Sequence, residues 1–137
     1  MSVSADTFCV DPSRVREMWP HVARWLADAV AKCGDWTITA LLDGLAAEQM
    51  LLWVRWDGDK LRAAAITQIT IVPRGKICTV LACGGERAGC WKAAIEPIEN
   101  YAKDQGCVAV RIQGRMAWAR VFDDYDPEWI TLEKGLN

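Results

Sequence analysis

The sequence predicts a mixed α/β fold, an α+β sheet in which an antiparallel meander runs into a parallel strand–helix–strand unit. Three observations carry that expectation. Residues 51–83 hold three apolar, β-branched runs separated by short turn signals, which reads as consecutive antiparallel strands. Residues 77–112 read as strand, glycine-rich turn, helix and strand, and a crossover of that kind sets its two strands parallel with a right-handed connection. The residues ahead of the meander keep a helical period instead.

In chain order, Asp11-Pro12 is a helix start, with Asp as N-cap and Pro at the first helical position. Val15, Met18, Trp19, Val22, Leu26, Ala29 and Val30 follow at helical spacing up to Gly34. Pro20 divides them into two short helices or one kinked one. Thr37 caps a further helix reaching about Glu48, with Leu41, Leu42 and Leu45 on one face. Residues 51–56 form a strand, Asp57-Gly58-Asp59 a hairpin turn, residues 61–72 a second strand, and Pro73-Arg74-Gly75 the next turn. The central stretch then begins with the strand Ile77 to Cys83. Gly84-Gly85-Glu86-Arg87-Ala88-Gly89 forms the turn, and a helix over 90–103 places Trp91, Ala94, Ile95, Ile98 and Tyr101 on one face. Gly106 stops it, residues 107–112 make a short strand, residues 115–123 a short helix, and Ile130 to Lys134 a last strand.

Composition bounds the function. At 137 residues, with 52% apolar and 25% charged, the chain reads as one soluble globular domain over residues 1–137. No apolar run spans a bilayer and the first residues lack a signal-peptide pattern, so the expected location is the cytoplasm, with no membrane partner. A net charge of −2 disfavours nucleic acid, even with Arg111, Arg115 and Arg120 close together; with Asp123, Asp124, Asp126 and Glu128 they read as a solvated mixed-charge face. The eight tryptophans fit core and edge packing better than a base-stacking surface. The six cysteines form no C-x-x-C pair and His21 is the single histidine, so no metal site is expected and the thiols read as reduced and mostly buried. Cys90, at a helix start, is where a thiolate is favoured, but it has no second histidine to act as its base.

The glycine-rich turn invites two readings. A strand feeding a helix through such a turn aims several N–H groups and the positive helix end at one spot, which holds an anion. Alternatively the glycines only let the chain turn. The order of helices, antiparallel strands, glycine-rich turn, long helix, strand, short helix and strand resembles the GNAT superfamily of acetyl-CoA-dependent N-acetyltransferases, most of all its small phage and prophage members. The resemblance covers most of the chain and rests on element order more than on motifs. It implies that the central strand splays from its parallel neighbour to admit pantetheine. Leu81, Ala82 and Cys83 would offer main-chain groups to it, and Gly84, Gly85, Arg87, Ala88 and Gly89 would surround the pyrophosphate. Two departures stand out. The family's loop pattern Q/R-x-x-G-x-G/A is not matched, and Glu86 brings a carboxylate beside the phosphates unless Arg87 offsets it. The tyrosine that serves many members as general acid is replaced by Phe122, with Tyr125 three residues on as a substitute. Two functions are therefore expected as alternatives. One is an acetyltransferase acting on a small-molecule or protein amine, with Glu86 or Glu48 as base and Tyr125 as acid. The other is a non-catalytic module with a structural, assembly or adaptor role and a protein partner.

Overall fold

The computed structural model describes residues 6–32, 34–86, 91–115 and 117–136. Its elements are β1 (Asp6–Cys9), a 3-10 turn (Pro12–Arg14), α1 (Val15–Lys32), α2 (Ile38–Ala46), β2 (Leu51–Asp57), β3 (Lys60–Val72), β4 (Gly75–Gly85), α3 (Trp91–Asp104), β5 (Ala109–Ile112) and α4 (Trp118–Val121). The five strands form one sheet in the order β1-β2-β3-β4-β5. The first three pairings are antiparallel and β4–β5 is parallel, as the sequence predicts.

The local chemistry follows the residues. Asp11 accepts from the Ser13 N–H at 2.9 Å and Thr37 Oγ1 accepts from the Ala40 N–H at 3.1 Å, so both predicted caps are in place. The β2–β3 connection is the two residues Gly58 and Asp59, with Gly58 at φ +64°. At the end of α3, Gly106 takes φ +78° and the Cys107 N–H bonds to the Ala102 carbonyl at 2.9 Å. That bond is why β5 starts at Ala109 rather than Cys107: the Cys107 donor closes the helix and is lost to the ladder.

Strand alternation sends side chains to two cores. Leu52, Val54, Ala64, Ile66 and Ala82 meet Val22, Trp25 and Leu26 of α1 and Leu41 and Leu45 of α2. Trp53, Ala65, Cys78, Val80 and Cys83 meet Trp91, Ala94, Ile95 and Ile98 of α3, with Phe122. Seven of the eight tryptophans are buried or partly buried, leaving Trp129 exposed.

Three expectations are corrected. β1 was not anticipated; it is a four-residue edge strand paired from Asp6↔Trp56 to Cys9↔Trp53. Pro20 does not divide the first helix, because Val15 on one side of it and Val22, Trp25 and Leu26 on the other are buried in the same core and hold one unbroken α1. The last strand over 130–134 does not form: residues 127–136 take no regular structure and make no ladder bond among the described residues.

Candidate functional site

β4 and β5 run together from Ile77↔Ala109 to Val80↔Ile112, with one further bond at each end, from the Val108 N–H to the Lys76 carbonyl at 2.8 Å and from the Gln113 N–H to the Val80 carbonyl at 3.1 Å. Beyond that point they part. The parting coincides with a β-bulge: Thr67 pairs with Val80 and Ile66 with Ala82, so Leu81 has no partner in β3. β4 then continues along β3 alone through Gly84 and Gly85, and the Glu86 N–H bonds to the Arg62 carbonyl at 2.8 Å. The edge of residues 81–85 that faces away from β3 carries no ladder bond among the described residues.

Leu81, Ala82 and Cys83 lie on this stretch, past the point where β4 leaves β5. Gly84 and Gly85 are placed differently from the sequence reading, which put them in the turn. They end the strand, and packing explains them. A Cβ on Gly84 would lie 2.8 Å from the Trp25 carbonyl oxygen of α1, and one on Gly85 would overlap the Arg62 carbonyl and the Ala63 Cα of β3. Arg87, Ala88, Gly89 and Cys90 lie outside the described residues.

Glu86 is held by two cations. The Arg24 guanidinium reaches it at 2.9 Å and that of Arg62 at 4.0 Å, while Arg62 also meets Asp57 at 3.6 Å. The offset expected from Arg87 is thus supplied from α1 and β3. Both carboxylate oxygens of Glu86 face a guanidinium, an arrangement unlike that of a free proton acceptor. Glu48, the other candidate base, sits exposed just past α2 at φ +57°. Tyr125 donates its hydroxyl to Glu99 Oε2 of α3 at 2.6 Å. Burial first, and that bond second, push its ionisation well above the usual tyrosine range, so it keeps its proton. Phe122 is 2% exposed and belongs to the core under α3.

An aromatic series runs along the core under α3. The Trp118 ring meets Trp91 edge-on at 5.4 Å, Phe122 at 5.6 Å, and Phe122 meets Tyr125 at 5.6 Å. The Trp118 indole also lies against Gly114, where a Cβ would stand 2.5 Å from its ring. Trp91 opens α3 and Gly114 follows β5, so Trp118 joins the start of that helix to the end of that strand. The cavity bounded by Cys83, Ile95 and Phe122 has a volume of about 20 Å³, room for roughly one water.

The thiols are governed by burial. It pushes the Cys83 ionisation from 9.0 up to about 12, and that of Cys78 up to about 11. A thiol raised in the fold stabilises it fully below its unfolded value and loses that contribution as pH climbs through the folded one. Stability is therefore expected to fall from about pH 9 upward, and Cys83→Ala to flatten that fall. Urea melts between about pH 8 and pH 10.5 check it; equal slopes in both proteins would refute it. Among the described residues no three side chains of metal-ligating type lie together, His21 is exposed on α1, and no helix is long and apolar enough to cross a membrane.

No protein-family model matches the chain, and no curated protein matches it by sequence. Solved structures do. A ribosomal-protein-alanine N-acetyltransferase from Brucella melitensis biovar Abortus 2308 aligns at TM-score 0.70 and 14% identity, over 98% of this chain and 100% of that one. An aminoglycoside acetyltransferase from an uncultured soil metagenomic sample aligns at 0.72 and 10%, over 98% and 99%. A predicted acetyltransferase from Clostridium acetobutylicum, solved with acetyl-CoA, aligns at 0.66 and 13%, over 95% and 96%. The chain therefore has the fold of the GNAT acetyltransferases. Sequence reasoning missed Arg24, Arg62 and Trp118. The arginines left no signal, lying 62 and 24 positions from Glu86; for Trp118 the sole hint was an indole four residues past a glycine.

Proposed function

We propose that this chain is a single-domain, acetyl-CoA-dependent N-acetyltransferase acting on an amine. The observation that carries the reading is the parting of β4 from β5 at the bulged Leu81, within a fold shared with acetyltransferases. A strand edge free of ladder bonds offers the donors and acceptors that an amide-containing pantetheine arm would use. Leu81, Ala82 and Cys83 would contribute main-chain groups there, and Arg87, Ala88 and Gly89, at the head of α3, would take the pyrophosphate. Acetyl-CoA supplies a thioester carbon for the amine to attack. The neighbouring structures take acceptors as different as a ribosomal protein's alanine and an aminoglycoside, so the acceptor here is defined only as an amine. With Glu86 ion-paired and Tyr125 bonded to Glu99, water is the better carrier of the amine's proton.

A second reading is a non-catalytic module that works through a protein partner. It is favoured by a buried phenylalanine, Phe122, where the resemblance would put the general acid, and by Trp118, packed between Trp91 at the start of α3 and Gly114 after β5.

Calorimetry and thermal melts with millimolar acetyl-CoA separate the two. Binding stabilises the folded chain by mass action, about 2.7 kcal/mol at a hundredfold excess over Kd. Trp118→Ala is expected to tighten binding by removing the ring packed between Trp91 and Gly114, Arg87→Glu to weaken it, and Glu86→Gln to leave it unchanged or improved. If neither the natural chain nor Trp118→Ala gives heat or a thermal shift, the enzyme reading falls and the non-catalytic one stands.

A further inference from the structure

We propose that the cavity under α3 is a binding site for one small monovalent anion of the halide class, chloride, held between the Thr7 hydroxyl of β1 and the Arg55 side chain of β2. Thr7 and Arg55 stand directly opposite each other in the β1–β2 ladder. Side chains so placed share one face of the sheet, with Cβ atoms about 4.5–5.5 Å apart. Trp53, two residues from Arg55, packs on the α3 side, and strand alternation puts Arg55 and Thr7 on that side too. Both line the cavity described above, which lies against Ala94, Ile95 and Ile98 of α3. The space exists because the row is small beyond Arg55. Ala63 pairs with Arg55 and Gly85 with Ala63, so the row ends without a side chain.

Two donors at this cavity are unmatched. Thr7 Oγ1 is the one buried side-chain oxygen or nitrogen among the described residues that has no hydrogen-bond partner. Arg55 is half-buried, and among the described residues no carboxylate lies within ion-pair distance of its guanidinium. A guanidinium only donates, and a threonine hydroxyl has one hydrogen to give. The Trp53 indole N–H, also on the wall, already donates to Thr67 Oγ1 at 2.9 Å. The remaining side chains of the wall are apolar, apart from the Cys83 thiol. At about 20 Å³ the cavity admits a water or an ion of similar size. A water there finds no side-chain oxygen except that of Thr7 to accept its own two hydrogens, so it leaves a hydrogen unmatched. An anion accepts from both donors and has no hydrogen to place. Burying a lone anion is costly, and the guanidinium charge beside it offsets that cost.

Thermal melts of the full chain in sodium chloride and in sodium gluconate at equal ionic strength provide the test, since gluconate is too large for the cavity. The melting temperature is expected to be higher in chloride, by roughly 4–6 °C at a tenfold excess over Kd. Thr7→Val keeps the shape and removes the donor. It is expected to melt at or above the natural chain in gluconate and below it in chloride. Arg55→Met is expected to lose the chloride response. Crystals of the natural chain grown with sodium bromide are expected to show an anomalous peak between Thr7 and Arg55, a result that does not depend on either variant folding. Equal melting temperatures in the two salts overturn the proposal. So does a chloride response that both variants keep, and so do bromide crystals with water density in the cavity and no anomalous signal.

Discussion

Phe122→Ala is expected to lower the unfolding free energy by about 3–5 kcal/mol, the range for deleting a buried aromatic side chain. Phe122 is 2% exposed, and its ring meets Trp118 and Tyr125 on either side. Removing it undercuts the whole aromatic series and leaves the α3 core open at Cys83. Phe122→Tyr is the more telling partner. Had this position been a catalytic tyrosine changed by chance, restoring the hydroxyl would restore a proton donor. In this core the added hydroxyl is desolvated among Trp91, Ala94 and Ile95, and an unpaired buried hydroxyl costs about 1–3 kcal/mol. Chemical denaturation measures both, and a Phe122→Tyr protein as stable as the natural chain would show that a polar partner is within reach.

Gly85→Ala is expected to cost at or above the ~3 kcal/mol end of the range for overpacked positions. Its Cβ would run into the Arg62 carbonyl and the Ala63 Cα, which are backbone atoms of β3 and cannot turn aside as a side chain can. Gly84→Ala meets another backbone atom, the Trp25 carbonyl oxygen, at the longer separation of 2.8 Å, and about 1–3 kcal/mol is expected. Were these glycines present only to let amides approach a phosphate, both variants would fold normally and lose acetyl-CoA alone. Melting curves in the absence of any ligand separate the two cases, and unchanged stability in Gly85→Ala would refute the packing account.

What the sequence made legible was whatever rests on local periodicity. The α3 face of Trp91, Ala94, Ile95 and Ile98, the Gly58 hairpin and the crossover from β4 to β5 were all readable, because each is fixed by residues a few positions apart. β1 was not, since Asp6, Thr7, Phe8 and Cys9 carry no alternation of their own and become a strand only by pairing with Trp53 to Trp56. Residues 130–134 failed in the opposite sense: the propensity is there, but they make no ladder bond among the described residues. The parting of β4 from β5 falls at residues 81–83, where the resemblance put it, while two of the arginines that meet Glu86 were not foreseen. Arg24 and Arg62 reach Glu86 from α1 and β3, and no pattern in the chain announces a meeting across 62 positions.

The bulge at Leu81 also fixes how this strand can vary in length. Cys78 and Val80 face α3, and so does Cys83, an odd step that only an extra residue allows. The two halves of β4 are therefore in different reading phases, joined at one position. Leu81 is the residue that makes the shift: its neighbours Val80 and Ala82 pair with the adjacent Thr67 and Ile66 of β3. Deleting Leu81 would therefore join those pairs into a regular ladder and leave Ala82 toward α1 and Cys83 toward α3. What would go is the local bend where β4 leaves β5. At this point in the fold the extra residue shapes the strand without deciding which side chains reach either core.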